Sequence, residues 1–398
     1  MSACPSLPIP LHDLRDGQLQ VVPGSTVAES SCPDLLVALS RVPDPRAGRG
    51  LRHQLVTVLA AAVCAVLAGA RSYVGIAEWA HDLPISVRVR LGIGRRAPSE
   101  STFRRVLQTV DAHGLDTAIS SWLLDRSIRQ RSEAHQPLRA VAVDGKTARG
   151  SRVPDRAARH LFAAFEHASG VVVGQMQVDD KSNEITAFAP LLDRLDLTNV
   201  VITADALHTQ DRHAIYLHER GGHYVFIVKH NRPKLRTQLA GLPWRDIPAL
   251  DLSRDKGHGR TESRTLKLTA INSGIIFPYA QLAVQIVRRR RATTSAATGA
   301  WHTETVYAVT DLGFGDIRAR QLAEIIRDHW SIENKVHWIR DVTFTEDHSQ
   351  IRTGNGPAVM ATLRNFALSR HRLAGHTNIA AACRHTSRHP IRAADLLT

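Results

Sequence analysis

The sequence predicts an α/β layer fold with helical flanks, and three observations carry that prediction. Short apolar runs recur through the middle of the chain, at 140–143, 171–178, 199–204 and 224–228. Stretches with helical spacing separate them, near 187–195 and 209–220, and strands that alternate with helices build an α/β sheet. A length of 398 residues suits two or three packed units. Hydrophobic content of 43% with 22% charged residues excludes wholesale disorder, a collagen-like chain and a coiled coil. The net charge of +14 points to a polyanionic partner, nucleic acid ahead of an anionic membrane surface.

Each element follows from its own residues. Positions 1–33, with four prolines before position 24, read as a poorly ordered leader. Residues 34–125 read as a helical N-terminal DNA-binding unit. It has helices at 34–39, 51–70 and 73–81 and another opening at Ser99-Glu100, where the serine suits the cap and the acid the helix dipole. With eight Arg against three acids over 51–110, these helices form either a helix-turn-helix-like DNA reader or a plain helical bundle. The apolar run at 56–70 is 15 residues long, short of the roughly 20 that span a bilayer, and reads as a buried helix. Four cysteines (Cys4, Cys32, Cys64, Cys383) without a C-x-x-C pair point to free thiols rather than zinc or disulfides. No secretory signal opens the chain, so a cytoplasmic protein is expected.

Texture changes again after the fourth strand. Residues 245–311 carry short alternating segments and read as a β-rich insertion. Within it, Arg288-Arg289-Arg290-Arg291 reads as a mobile basic loop, either a solvated surface or a phosphate contact. Helical spacing returns over 317–341. Residues 374–398 read as a basic tail, and seven Arg against one acid follow position 350.

Three carboxylates stand out. Asp144 closes the first strand in Val143-Asp144-Gly145-Lys146, and Asp205 closes the third in Ala204-Asp205-Ala206. Acids at strand ends are either turn caps or, in the crevice of an open α/β sheet, ligand-binding groups. Two acids on neighbouring strands repel, and a hard cation between them keeps both ionised. Glu333 shares a helical face with Trp330 and His337, and Arg340 continues it; such a stripe is either a salt-bridged helix or a metal-binding acid with basic neighbours.

Taken together, these segments resemble the DDE transposases of bacterial insertion sequences, specifically the H-repeat-associated group. The resemblance runs from about 33 to 373. It is carried by Val143-Asp144-Gly145-Lys146-Thr147, Asp180-Lys181-Ser182-Asn183-Glu184-Ile185, Ala204-Asp205-Ala206 and Tyr224-Val225-Phe226-Ile227-Val228-Lys229-His230-Asn231. It continues through Asp255-Lys256-Gly257-His258-Gly259-Arg260-Thr261-Glu262-Ser263-Arg264, His329-Trp330-Ser331-Ile332-Glu333-Asn334 and Glu346-Asp347. It implies a catalytic domain at 139–373 with a ribonuclease-H-like core, interrupted by the β-rich insertion. It also implies that Asp144, Asp205 and Glu333 are the catalytic acids and the ligands of two Mg²⁺ ions, with Mn²⁺ able to substitute.

Asp144 and Asp205 lie 61 positions apart, and Glu333 lies a further 128 on, an interval too long for one loop and accounted for by the insertion. Phosphate or transition-state contacts are expected from Lys146, Lys229, His230, Arg260, Arg264, His337 and Arg340. Glu184 and Glu262 are expected as structural partners of nearby bases, and Glu346 with Asp347 as an alternative source of the third acid. The implied partner is double-stranded DNA, both terminal inverted repeats and target, bound by a homodimer, with no membrane. Two other readings stay open: a metal-dependent endonuclease without strand transfer, and an inactive DNA-binding relic.

Overall fold

The computed structural model describes residues 34–48, 51–130, 138–178, 183–257, 259–271, 274–294 and 297–398. The expected leader, most of Asp180-Lys181-Ser182-Asn183, and His258 lie outside them. Six helices come first: α1 (Leu35–Ser40), α2 (Leu55–Leu67), α3 (Tyr73–His81), α4 (Ile85–Arg90), α5 (Glu100–Thr109) and α6 (Ala112–Arg129). Then follow β1 (Arg139–Ala148), β2 (Arg159–Glu166), β3 (Val172–Val178), α7 (Glu184–Leu192), β4 (Val200–Ala204), α8 (Asp211–Glu219), β5 (His223–Val228) and α9 (Pro233–Ala240). The strands β6 (Asp251–Gly257), β7 (Arg260–Ala270), β8 (Leu282–Thr294), β9 (Ala297–Thr298) and β10 (His302–Thr310) come next. Helices α10 (Ala319–Asp328), α11 (Trp338–Val342), α12 (Gly356–Leu373), α13 (Ile379–Ser387) and α14 (Ile391–Asp395) end the chain.

Among the described residues, nine strands join one sheet in the order β3-β2-β1-β4-β5-β10-β8-β7-β6, and β9 pairs with β8. The pairs β1/β4 and β4/β5 are parallel; the others are antiparallel. Residues Val141, Ala142 and Val143 and all five residues of β4 are buried, because helices cover both faces there. β1 does not stop at Asp144. It runs on to Ala148 because β2 still pairs along its other edge, Asp144 opposite Ala163 and Ala148 opposite Arg159, after β4 has ended at Ala204.

Strands from the region expected to be an insertion continue the same sheet, since β10 pairs with β5. The four arginines at 288–291 are not in a loop. They lie inside β8, all four in register with β7 and the first three also with β10. The strand tolerates them because Arg288 donates to Glu262 at 2.5 and 3.0 Å, and Arg289 and Arg291 lie over the Trp301 ring.

The front helices are not isolated from the sheet. α2 is buried at twelve of its thirteen positions, and its Ala-rich surface belongs to the same apolar core as Phe162, Phe165 and Phe366. Ser99 does hold the N-cap position of α5, but its hydroxyl meets those of Ser101 and Thr102 rather than the helix backbone. Residues 374–398 are not a loose tail. Helices α13 and α14 bury Ile379, Cys383, Ala393 and Leu397, and the Leu397 carbonyl accepts the Leu35 N–H at 3.0 Å. No helix among the described residues is long and apolar enough to cross a membrane.

Candidate active site

Strand periodicity decides which side chains meet. Val143 pairs with Ala204, so Asp144 and Asp205 follow on the same rung of neighbouring parallel strands. Alternation then sends Asp144 and Lys146 to one face with Asp205, and Val143 and Gly145 to the other. The first face carries α10 and the turn after it: Thr203, two residues before Asp205, has its hydroxyl 3.1 Å from His329 Nδ1. Glu333 arrives on this face beside Asp144.

The backbone at Glu333 is unusual. Residues Glu333–His337 form a π turn between α10 and α11. A π turn holds more than four residues, so Glu333 and His337 stand almost above one another. His337 Nδ1 lies 2.9 Å from Glu333 Oε2 and 3.6 Å from Asp144 Oδ2, and ligand atoms of Asp144, Glu333 and His337 all fall within 4.8 Å of each other. His337 is buried, and its Nε2 has no hydrogen-bond partner. Asp205 is exposed. It also acts as a turn cap, accepting the Leu207 N–H at 2.9 Å.

Electrostatics agree with that crowding. Burial, chiefly, pushes the Asp144 carboxyl up to about 6, and the charges of Glu184 and Asp205 add to the rise against the pull of His337. Hydrogen bonding from His337 holds Glu333 below its usual range. Two carboxylates and an imidazole, those of Asp144, Glu333 and His337, form a donor set that suits a divalent cation, and Asp205 stands outside that cluster.

The opposite face braces the site. Glu184 accepts from His160 at 2.6 Å and lies 3.2 Å from His208 Nε2. Burial raises its carboxyl, but the two histidines outweigh burial and hold it at about 2. Gly145 packs directly on this pair: a Cβ there would collide with Glu184 and His160. Only a glycine lets β1 pass so close beneath Asp144. The sequence placed Glu184 among structural partners but carried no sign that it props the Asp144 strand, because His160 and His208 are 24 residues away on either side.

The expected phosphate contacts divide. Lys229 and His230 are exposed just past β5, beside the Asp205 rung. Lys146 lies next to the acids but points inward, 2.6 Å from Asp341 and 3.9 Å from Asp347. Arg260 and Arg264 sit on β7, five strand spacings or about 24 Å from β1, and Arg264 pairs with Glu262 and Asp255. Neither reaches the acids. Arg340 is fully buried; it donates to Glu346 at 2.9 Å and to Gln175 at 3.1 Å, while Arg364 donates to the other Glu346 oxygen at 2.8 Å. It braces α11 against the core and cannot contact a phosphate. The same burial removes Glu346 as a third acid.

Comparison with known proteins adds the family. A family described as Transposase DDE domain matches residues 135–370, and one described as DDE_Tnp_1-associated matches residues 36–123. The chain is 30% identical over 358 residues to the protein named "Putative transposase YncI" of Escherichia coli O157:H7, covering 85% of this chain and 87% of that one. It is 29% identical over 346 residues to "H repeat-associated putative transposase YhhI" of Escherichia coli strain K12, covering 84% and 89%. Among solved structures, the cryo-EM structure of a piggyBac transposase synaptic complex with hairpin DNA aligns over 91% of this chain and 76% of its own, at 11% identity and a TM-score of 0.39. With the domain match spanning more than half of the chain and carrying Asp144, Asp205 and Glu333 within it, the protein belongs to the DDE transposases.

Proposed function

We propose that this transposase binds the terminal inverted repeats of an insertion sequence as a homodimer, cleaves the double-stranded DNA there, and joins the free 3′ end to target DNA. The reading rests on one observation: Asp144, Glu333 and His337 converge within 4.8 Å, on the face and rung where Asp205 stands. In this reading β1, β4 and β5 are the centre of a ribonuclease-H-like core, and β6–β10 are an insertion that extends its sheet.

Asp144, Asp205 and Glu333 would hold two Mg²⁺ ions, for which Mn²⁺ could substitute. When bound, such ions supply Lewis-acid activation of the attacking oxygen and stabilisation of the departing one. The protein's own part is positional. β1 and β4 present two carboxylates from buried, rigid strands, and the π turn brings the third from above. His337 sets the Glu333 carboxylate through its 2.9 Å contact. Lys229 and His230, beside Asp205, steady the phosphate backbone. No side-chain nucleophile is required, because water and then the DNA 3′-hydroxyl serve that role.

The test is an Asp205→Asn protein. It is expected to bind terminal-repeat DNA as the wild type does and to neither nick nor join it in Mg²⁺, a loss of at least about 10³-fold. Wild-type cleavage by that variant overturns the assignment. A strand-transfer assay with a pre-cut 3′-hydroxyl end separates a transposase from an endonuclease that only cuts.

A further inference from the structure

A second basic feature lies on the same strand as Asp144 and takes no part in the acid cluster. A cavity of about 400 Å³ opens between the turn after β1, at Arg149–Ser151, and the segment that follows α11, at 347–352. Arg149, Arg152, Arg352 and His348 line it, with Asp347 as the one acid. Asp347 is already engaged: it accepts the backbone N–H of Arg149 at 3.2 Å and faces Lys146 at 3.9 Å. The guanidinium groups outnumber it.

The walls are built rather than incidental. Arg352 Nε donates to the Gly150 carbonyl at 3.1 Å, tying one wall to the other. Gly150 admits no side chain, since a Cβ would lie 2.6–2.8 Å from the backbone of Glu346 and Ser349. Thr345, which opens the second wall, holds a left-handed φ of 49°, a conformation a β-branched residue keeps only when its surroundings impose it. What imposes it is Glu346, clamped in the core between Arg340 and Arg364. Arg149 and Arg152 nevertheless stay exposed, Arg149 at 81% of its side chain. Forked, planar guanidinium donors suit the oxygens of a phosphodiester.

Distance gives the pocket a place on the substrate. β1 carries the chain about 13 Å from Asp144 to Ala148, and Arg149 opens the turn one residue further on, about 16 Å from Asp144. A DNA strand advances about 3.4 Å per nucleotide along its axis. We propose that this pocket is a phosphodiester subsite, which grips the DNA backbone about five nucleotides from the bond cut at Asp144. The proposal rests on the reading of the acid cluster as a DNA-cleaving centre.

The experiment measures binding, without chemistry, of full-length protein to terminal-repeat DNA in EDTA. Fluorescence anisotropy is followed against salt for the wild type and for Arg149→Ala/Arg152→Ala. Each lost phosphate contact removes about 0.9 from the slope of log affinity against log salt, so the double variant is expected to be shallower by about 2. Single methylphosphonate substitutions then neutralise one phosphate at a time. Neutralisation about five nucleotides from the cut is expected to weaken the wild type several-fold and to leave the double variant unchanged. Because both side chains are exposed, the thermal midpoint should not move, and that measurement controls for misfolding. An unchanged salt slope, or the same sensitive phosphates in both proteins, overturns the subsite and leaves the proposed function standing. Failure of the wild type to bind terminal-repeat DNA overturns both.

Discussion

Burial raises Asp144 to about 6, whereas an aspartate in the unfolded chain titrates near about 3.9. Below about pH 4 the acid is protonated in both states and costs nothing. As pH rises through 4 to 6 the unfolded chain releases its proton and the fold retains it, so stability falls, and above 6 the full penalty persists. Asp144→Asn, in EDTA, is therefore expected to be more stable than the wild type at pH 8 by about 1–2 kcal/mol, after allowance for solvent screening of the partly exposed carboxylate. At pH 4 the two should unfold alike. Urea titrations at both pH values check this, and a gain that persists unchanged at pH 4 would place its origin elsewhere. The trade is the familiar one between a poised site and a stable fold. Arg340 shows the opposite case: the spacing that puts it on the Glu333 stripe is real, but its charge is spent on Glu346 in the core.

At the scale of elements, the π turn at Glu333–His337 sets where Glu333 stands relative to Asp144. An α-helix also keeps residues four apart on one face; what the π turn adds is one extra residue, without which Glu333 would turn by about 100° relative to the buried Ile339 and Arg340 and away from Asp144. Lys335 is exposed in the middle of the turn, and its deletion is expected to restore ordinary α-helix while Val336, Ile339 and Arg340 stay buried. The variant should keep a cooperative fold with a thermal midpoint lower by about 2–4 °C. If the acid cluster holds a metal as proposed, Mn²⁺ is expected to raise the wild-type midpoint, and the variant should lose that rise. Calorimetry with and without Mn²⁺ measures both, and an unchanged Mn²⁺ response would show that the π turn is dispensable for metal binding.

Across the whole molecule, α12 is the common surface. It packs on α2, α5, α6 and α13 and also against β2 and β3, so the front helices, the sheet and the C-terminal helices share one core. The residues after Leu373 close that core over α1 and α2. Ending the chain at Leu373 removes the buried Ile379, Cys383, Ala393 and Leu397. At about 1.5–3 kcal/mol for each of Ile379 and Leu397, with smaller contributions from Cys383 and Ala393, this reaches the lower end of a typical domain's whole stability. A truncated protein is expected to lose its cooperative urea transition. If residues 374–398 served only as a basic tail, the transition would be unchanged and only DNA affinity would drop.

How much of this was legible in the sequence follows from the range of the interactions involved. Alternation and apolar runs are local, so β1, β4 and β5 and the helical stretch bearing Glu333 could be read from residues alone, whereas grouping Asp144, Asp205 and Glu333 as one set of acids rested on the family resemblance. The sheet order placing Asp144 beside Asp205, the extension of β1 past Asp144, and the burial of Arg340 depend on pairings between distant segments. So does the paired arginine strand at β8, which local composition makes look like a loop. The basic pocket at Arg149 and Arg352 belongs to the same class, since its two walls are some 200 residues apart in the chain. By itself the sequence determined which side chains are available for phosphoryl-transfer chemistry and which elements carry them. Only the tertiary structure decided which charges face the site and which are neutralised inside the core, because burial and pairing are properties of the packed chain.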